Sequence, residues 1–574
     1  MSDYTQLPRQ QKIFTLVGTL LGMLLAALDQ TIVSTAGPAI QRDLHIEPAL
    51  YAWLTTSYLV ASAVMTPVWG KLSDLFGRRR ILVIGITIFL VGSVLCGLST
   101  TTTQLIASRV IQGLGSASLF TTAFAVIGDI FAPRDRGRYA GLFGAVFGLS
   151  SVAGPLVGGF ITDTLGWHWC FFINIPVGAL ALAVIAAKMP ALAPTRTGAR
   201  PSIDVVGAVV FAGAIVPLLI AASLAKLELR PGDVGMLWNS PAIVGMVVMG
   251  LVFSGLFFVV ERRVKEPIID FGLFSDRTFS LGIAASFVVG MTFLGAIVFL
   301  PFFMVNVGGA SATGAGLTTT PLTFGIVAGN IVAGQVSSRV GRYKPLLLGS
   351  LAVLIVGFVV MSTTLSVDVS SGGMAVRMVL LGLGLGPSIP LFNLHIQMAV
   401  PPRHIGAATS LATLSRSLGS TLGIAIFGNI FGLTLAHRLE ERMAEANAAL
   451  PPAVAAQMAA MREAPAMGGG DEGPAVRTFD EKAIVARIHD GFAARRAALG
   501  DASPAEARAG LDAAEAGAVA GIQQIGMAFK TAFTEAVARL YTIAIAFAVL
   551  GFLLALAMRE LPLRAGPAAA PPPE

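Results

Sequence analysis

Long apolar runs alternate with short polar connections along the whole chain. Fourteen segments stay apolar over about the 20 residues that a helix needs to cross the hydrocarbon core of a bilayer. Because these runs are too long for buried strands, they predict an all-α polytopic membrane protein. The predicted spans lie at 14–36, 51–70, 81–99, 104–128, 139–162, 169–188, 204–224, 238–260, 279–302, 315–337, 346–364, 374–398, 406–433 and 540–558.

Basic residues favour one side of this predicted arrangement. If the N-terminus is cytoplasmic, the short outer loops hold only Arg42, Lys226 and Arg230, and clusters such as residues 78–80 fall inside. Short loops rich in Lys and Arg are retained in the cytoplasm. We therefore expect a multi-pass protein of the cell (inner) membrane with both termini in the cytoplasm.

An internal repeat divides the chain into two halves. The segment GKLSDLFGRRR at 70–80 aligns with GQVSSRVGRYK at 334–344, which makes the second and tenth spans equivalent. Six helices then remain in each half if the seventh and eighth spans are an inserted hairpin. Two such halves, related by an axis along the membrane normal, would bind a substrate between them. The predicted domains are a six-helix bundle at 1–190, the hairpin with its flanking loops at 191–275 and a second six-helix bundle at 276–574.

One Ala-rich segment, 434–539, separates the last two spans on the predicted outer side. The sequence LTLAHRLEERMAEANAAL should continue the thirteenth span as a helix. Pro451, Pro452 and the run MGGGDEG should interrupt it, and a second helix should lead back to the last span. Two interpretations stay open: a solvated helical hairpin, or an extension that docks a partner or guides a substrate.

Composition excludes several classes of protein. A chain with 55% hydrophobic residues, 12% charged residues and a mean hydropathy of +0.78 cannot cover a water-exposed surface. The net charge of +7 is scattered between apolar runs, so we expect no nucleic-acid partner. Cys96 and Cys170 both lie in apolar runs, which excludes a disulfide framework. No phosphate-binding loop, catalytic triad or metal-ligand cluster is recognisable, so we expect no enzyme activity, no metal and no cofactor.

Two opposite charges lie inside predicted spans. A charged side chain in the middle of a membrane costs about 3 kcal/mol or more, so Asp29 must pair with a cation or bind a proton. Arg109 is the matching cation. Gln30, Thr31 and Ser34 would add hydrogen-bonding groups to the same predicted cavity. Asp29 is therefore a candidate proton carrier, and a static ion pair is the alternative.

The loop after the second span combines small and charged residues. Gly70 and Gly77 permit close helix packing and a tight turn, and Asp74 and Arg78 place opposite charges at the membrane edge. This pattern predicts close helix packing at the membrane edge, and a loop that only anchors the topology is the alternative.

A second small-residue motif lies in the fifth span. Gly154, Gly158 and Gly159 would form a groove for another helix, and Pro155 frees a backbone carbonyl and would bend the span. Such a helix can rock against its neighbour. Ordinary small-residue packing is the alternative.

Five motifs, in order, resemble those of the major facilitator superfamily, and in particular its fourteen-helix drug:proton antiporter branch. The loop at 70–80 is similar to the signature loop of the superfamily. His168 stands where the branch usually has Arg. The other four motifs are LDQTIVSTAGPAI (28–40), LIASRVIQGLGSAS (105–118), GLSSVAGPLVGGF (148–160) and WHWCFFINIPVG (167–178).

This resemblance implies the major facilitator fold, with 6+2+6 helices in two pseudo-symmetric bundles. It also implies that Arg109 lies close to Asp29 and helps to drive its proton off. Asp74 is expected to meet the inner end of the thirteenth span, so that the loop with Gly70, Gly77 and Arg78 gates the transporter. Arg377 is the predicted second-half counterpart of Arg109, and Arg416 is a candidate cavity residue. For these last two arginines, structural and transport roles both stay open.

We therefore predict a proton-coupled antiporter that exports small apolar compounds, expected to be cationic, by alternating access. An exporter of lipid or of a lipid-like metabolite that uses 434–539 is the first alternative. A non-transporting membrane receptor, which would not need Asp29, is the second. The predicted partners are the small-molecule substrate, protons and the lipid bilayer, with 434–539 as a candidate docking segment for an extracytoplasmic protein.

Overall fold

A computed structural model describes residues 6–46, 48–51, 53–192, 203–226, 236–309, 319–401, 404–448, 481–499 and 505–561. Helices dominate these residues, and a two-residue parallel strand pair, Ala225–Lys226 with Met236–Leu237, is their one sheet. The helices are α1 (Arg9–Asp43), α2 (Pro48–Tyr51), α3 (Trp53–Phe76), α4 (Arg78–Gly97), α5 (Thr102–Ile130), α6 (Pro133–Thr164), α7 (Trp169–Phe172), α8 (Asn174–Lys188), α9 (Val205–Leu224), α10 (Pro241–Glu261), α11 (Arg277–Asn306), α12 (Thr320–Val340), α13 (Lys344–Thr364), α14 (Ser371–Met398), α15 (Ile405–Ala448), α16 (Glu481–Leu499) and α17 (Ala505–Ala557).

Each predicted span falls on helix in the described part of the chain. Among the described residues, twelve helices are long and apolar enough to cross a membrane. The helices α3 and α12, at the second and tenth predicted spans, are long enough but carry more polar residues, including Lys71, Asp74 and Asn330. We call the end of the bundle that holds the start of α1 and the end of α17 the terminal end, and the other the opposite end.

Polar side chains begin several of these helices. Thr101, Asp204, Ser240, Asp276 and Ser370 each accept a hydrogen bond from a backbone N–H in the first turn of α5, α9, α10, α11 and α14. Such caps satisfy N–H groups that have no partner within the helix. These five helices therefore start where the sequence supplies a capping residue.

The two halves pack as separate bundles around their own cores. In the first, α4 and α3 pack on α5, and α1 packs on α6 and α8 around Leu82, Phe89 and Leu119. In the second, α11 and α13 pack on α17, and α12 packs on α14 around Phe303 and Leu351. Each half thus buries a continuous apolar interior.

The bundles meet through two equivalent pairs of helices, α3 with α15 and α12 with α6. A Cβ added to Gly70 would collide with Ser410 and the Gly406 carbonyl of α15, and one added to Gly334 would collide with the Gly137 carbonyl of α6. Gly70 and Gly334 open the two copies of the internal repeat. Each copy of the repeat therefore marks a site where the two halves approach closely.

The helices α9 and α10 form an antiparallel hairpin at the edge of this arrangement. They pack on each other, and α9 also contacts α3 and α15. Lys71 of α3 donates to Glu266, just after α10, across 2.8 Å. This packing agrees with an inserted hairpin, while the domain boundaries near 190 and 275 stay a prediction.

Helices α15 and α17 continue well past the length of a span at the opposite end. Phe431 of α15 packs edge-on against Phe533 of α17 at 5.1 Å, and Glu535 of α17 pairs with Arg438 and Arg442. Helix α16 lies against α17, where Glu515 pairs with His489. The two helices predicted within 434–539 are thus present, and the Pro451–Pro452 and Gly-rich breaks lie outside the described residues.

Charged groups fasten the end of α17 to the loop between α12 and α13. Arg342 donates to both carboxylate oxygens of Glu560, at 3.0 Å and 2.6 Å. These hydrogen bonds hold the pKa of Glu560 below its ordinary value. Lys344 donates to the carbonyls of Leu556 and Met558. The last spanning helix is thereby fixed at the terminal end.

Candidate functional site

A buried carboxylate lies in the interior of the first bundle. Asp29 of α1 is fully buried. Its Oδ2 accepts from Arg109 Nη1 at 2.7 Å, and its Oδ1 accepts from Gln112 Nε2 at 2.7 Å and Asn174 Nδ2 at 3.0 Å. Three donors from α5 and α8 therefore surround the two oxygens. An ionised carboxylate can only accept hydrogen bonds, so this arrangement fits the charged form.

Arg109 of α5 is held on several sides. Its Nε donates to the Leu54 carbonyl at 3.1 Å, and Nη1 also donates to Gln112 Oε1 at 2.7 Å. The guanidinium lies 4.2 Å from the centre of the Tyr58 ring. Cation–π contact and charge-assisted hydrogen bonds together offset the desolvation of a buried charge. The sequence-based expectation that Arg109 lies next to Asp29 is confirmed by this geometry.

The sequence analysis missed the amides that complete this cluster. Gln112 lies one turn after Arg109 on the same face of α5, and Asn174 begins α8. Both also donate to Ser93 Oγ of α4, at 3.2 Å and 2.9 Å. The spacing of three residues between Arg109 and Gln112 could have identified the first of them. Nothing local in the sequence links Asn174 to Asp29, because the link spans two helices.

A cavity of about 950 Å³ lies between the two bundles. Its walls combine aromatic rings with hydroxyl and amide groups, as small-molecule sites commonly do. Phe120 stacks on Phe147 at 5.5 Å, and Phe124 meets Phe143 edge-on at 4.5 Å. The lining runs from the middle of the bundle to Lys226 and Leu435 at the opposite end. The cavity therefore extends away from the terminal end.

The predicted cavity residues fall in different places. Gln30, Thr31 and Arg416 line the cavity. Asp29 lies behind its wall, because its side chain points into the first bundle. Ser34 is exposed, donates to the Thr31 carbonyl at 2.8 Å, and is not part of the lining. Asp29 and Ser34 thus do not contact the cavity in this conformation.

An ion-pair network closes the terminal end. The two carboxylate oxygens of Asp74 accept from the backbone N–H groups of Gly406 at 3.0 Å and Ala407 at 2.7 Å, in the first turn of α15. Arg78 pairs with Asp74 at 2.6 Å and with Asp129 at 2.7 Å. A carboxylate is stabilised at a helix N-terminus by the unpaired N–H groups there. Asp74 therefore joins the first bundle to the second.

Both copies of the repeat place a glycine at positive φ, although the two turns differ, since ψ is 146° at Gly77 and 14° at Gly341. Gly77 has φ +91° and Gly341 has φ +72°, a region that residues with a Cβ rarely adopt. Arg134 of α6 donates to the carbonyls of Ser338 at 2.8 Å and Arg339 at 3.2 Å, at the end of α12. A cation thus meets a helix C-terminus on one side of the interface, and an anion meets a helix N-terminus on the other.

The small residues of α6 contact α1 only in part. A Cβ on Gly154 would collide with Thr31, and one on Gly158 would lie 3.2 Å from the Ile32 backbone. Among the described residues, no atom lies within 4 Å of the corresponding position at Gly159, so the prediction that Gly159 belongs to the groove is wrong. Pro155 lies within the continuous helix α6. Gly154 and Gly158 are therefore the two glycines that let α1 approach.

Arg377 does not occupy a site like that of Arg109. It is half-exposed near the opposite end, where it donates to Thr364 Oγ1 at 2.9 Å and to the Thr364 carbonyl at 3.1 Å. Helix α11, which corresponds to α1, has no acidic residue that could pair with it. The prediction of a second-half counterpart fails because the counter-charge is missing.

A sequence profile described as Major Facilitator Superfamily matches residues 19–424. Multidrug resistance protein 3 of Bacillus subtilis (strain 168) is 39% identical over 419 residues, which cover 73% of this chain and 79% of the relative. Multidrug transporter protein MdtP of the same organism is 36% identical over 413 residues, 72% of this chain and 74% of the relative. The human organic anion transporter MFSD10 has a similar fold, with a TM-score of 0.55 and 15% identity over 74% of this chain and 94% of that chain.

Proposed function

Because the chain belongs to the major facilitator superfamily, we propose that it is a proton-coupled antiporter that exports small apolar compounds by alternating access. It is a multi-pass membrane transporter and not an enzyme. The multidrug transporters among its relatives support efflux as the direction of transport.

The observation that carries this proposal is the buried Asp29–Arg109 ion pair beside a cavity of drug-like size. A proton on Asp29 would remove the ion pair and set an O–H group against N–H donors. The cluster of α1, α4, α5 and α8 would then lose its best hydrogen-bonding arrangement. Protonation and the packing of these helices are therefore linked.

Substrate and proton need not touch in this mechanism. Gln30 and Thr31, one and two residues after Asp29, line the cavity. Thr31 Oγ1 also donates to the Ser150 carbonyl of α6 at 3.0 Å. A movement of α1 would change both the cavity wall and the surroundings of Asp29. We infer that α1 transmits the effect of one site to the other.

In the proposed cycle, the bundle of α1–α8 rocks against that of α11–α17, and α9 and α10 stay peripheral. With the termini in the cytoplasm, the cavity of this structure faces outward, and the contacts of Asp74 close the cytoplasmic side. Release of Asp74 from α15 would accompany the opposite state. Residence in the inner membrane and this orientation are part of the proposal.

Purified protein in liposomes with an imposed pH gradient tests the proposal. The panel holds cationic, anionic and neutral fluorescent dyes whose charge does not change over the pH range used. We expect at least one of them to accumulate in the acidic lumen. Accumulation should vanish when an ionophore collapses the gradient, and protein-free liposomes are the control. Movement of a fluorescent lipid without any dye would favour the lipid exporter, and movement of neither would contradict transport driven by protons.

The extension at 434–539 separates the two kinds of exporter. We propose that its part beyond Leu435 is not on the substrate route, because Leu435 is the last residue of α15 in the described cavity lining. Replacing residues 445–525 with a short Gly/Ser linker keeps every span and the Arg438–Glu535 pair. Loop length alone has a small effect on free energy.

We expect this truncated protein to retain at least half of the dye export of the full chain, measured in the same liposomes. Monodisperse elution in detergent is the control for insertion and folding. A well-folded truncated protein without any export would identify the extension as a substrate guide or a docking segment for a partner.

The described cavity does not favour the cationic substrate that the sequence analysis predicted. A cationic compound would need a negative group in the cavity, yet the charged residues of the described lining are Lys226 and Arg416. The dye panel therefore includes anions and neutral compounds as well as cations.

A further inference from the structure

Arg416 is a charged residue of the cavity lining whose described surroundings leave it without a counter-ion. It lines the cavity from α15, and no hydrogen bond or ion pair joins it to any residue that the structure describes. Arg109, by contrast, has Asp29, Gln112 and the Leu54 carbonyl as partners. A charge inside a membrane persists where it pairs with another group or faces a cavity, and it marks a functional site.

Hydroxyl groups near Arg416 already donate to backbone carbonyls, so the guanidinium is the strong free donor in this part of the cavity wall. The hydroxyls of Thr413, Ser420 and Thr421 donate to the carbonyls of Thr409, Gly290 and Ser417. The described lining holds no Asp or Glu. An anion placed here would meet a cation with free N–H groups, whereas a cation would be repelled.

Arg416 also borders a smaller recess with its own unsatisfied polar atom. Ser286, Ser388 and Asn393 line this recess together with Arg416. The buried Oδ1 of Asn393 has no hydrogen-bond partner among the described residues. The recess has a volume of only about 10 Å³, room for about one water molecule, and the free Oδ1 is an acceptor, so an anion would lie in the main cavity beside Arg416.

We propose that Arg416 binds an anionic group of the substrate, so that the exported compounds are aromatic or apolar molecules with a carboxylate or similar anion. The anion lies against Arg416 on the second bundle. The apolar body lies against the four phenylalanines of the first bundle, Phe120, Phe124, Phe143 and Phe147. This inference rests on the proposed function and names the substrate class of the same cavity.

Equilibrium binding in lipid nanodiscs tests the inference with three probes of one shape: 2-naphthoate, 2-naphthamide and 2-naphthylmethylammonium. Empty nanodiscs give the background. We expect the wild-type protein to bind the carboxylate about tenfold or more tightly than the amide, as a charge-assisted hydrogen bond implies. The ammonium should bind most weakly of the three.

Substitutions at Arg416 locate the effect. In Arg416→Gln the preference for carboxylate over amide should fall to about one, while amide binding reports an intact cavity. Arg416→Lys should keep part of the preference, because Lys retains the charge but not the planar fork. Arg377→Gln is the matched control, since it removes the same charge from the same bundle outside the described lining, and the preference should not change.

Two results would overturn the inference: no preference for the carboxylate in the wild-type protein, or a preference that persists in Arg416→Gln. Binding needs no pH gradient, so its outcome is separate from that of the proposed function. Carboxylate binding without gradient-driven movement would refute proton-coupled export but still support the anion site at Arg416. Gradient-driven export of a cationic dye without carboxylate preference would support proton-coupled export and refute the anion site at Arg416.

Discussion

Asp29→Asn is expected to abolish gradient-driven export, so that dye accumulation falls to the level of protein-free liposomes. The amide has nearly the shape of the carboxylate but cannot release a proton in the working pH range. Asn174 can turn its amide to present oxygen to the new N–H groups, while Gln112 keeps its orientation and its Nε2 still donates to Ser93 Oγ. Arg109 keeps the Leu54 carbonyl, Gln112 and the Tyr58 ring. We therefore expect the variant to insert and to bind substrate, with a lower melting temperature.

Asp43→Asn is the matched control for this substitution, because it changes the same residue type at the far end of the same helix. Asp43 accepts from Trp167 Nε1 at 2.8 Å, a bond that an amide oxygen can also accept, so export should stay near the wild-type level. Arg109→Ala should impair coupling, and Arg109→Lys should restore only part of it. Wild-type accumulation in Asp29→Asn would remove Asp29 from the mechanism.

The helical framework of the protein follows closely from its sequence. Hydropathy alone located the spans, because a helix that crosses a membrane must be apolar over a fixed length. The repeat at 70–80 and 334–344 also predicted equivalent positions, and the structure gives Gly77 and Gly341 a positive φ in both copies. Both signals are local. They depend on the solvent and on backbone geometry rather than on the partner that each helix meets.

Side-chain partners could be predicted only where a motif carried them. Asp29 and Arg109 were paired through the resemblance, and Gln112 and Asn174 were overlooked although both lie in quoted motifs. Arg377 was misplaced because the sequence does not show whether a carboxylate from another helix will face it. The same reasoning applied to Arg416 left its role open until the cavity showed what surrounds it.

The terminal end has two charged contacts between the bundles, here called latches: an anion where α3 meets α15 and a cation where α6 meets α12. Asp74 binds the first N–H groups of α15, and Arg134 binds the last carbonyls of α12. Each latch uses a helix dipole of the other bundle, so each is made only while the bundles are close. Single substitutions at Asp74 or Arg134 can therefore remove polar contacts that belong to the closed terminal end.

Asp74→Asn is expected to shift the state equilibrium towards an open terminal end. The amide keeps one acceptor for the N–H groups of Gly406 and Ala407 but loses the charge that favours a helix N-terminus and pairs with Arg78. Loss of a charge-assisted contact of this kind amounts to about 1–2 kcal/mol, which changes the ratio of two states by about 5- to 30-fold. Turnover should slow, and substrate affinity should change little, because Asp74 does not line the cavity.

Distances between spin labels at Arg80 and Val340, both exposed at the terminal end of different bundles, measure this shift directly. Asp74→Glu keeps the charge and should stay close to the wild-type ratio. Asp135→Asn is the matched control, because Asp135 is an exposed carboxylate in the first turn of α6 at the same end. If the open fraction rises in Asp135→Asn as much as in Asp74→Asn, the shift results from the change in net charge at this surface and not from the contacts of Asp74. An unchanged distance distribution in Asp74→Asn would show that its bonds to α15 do not hold the terminal end closed.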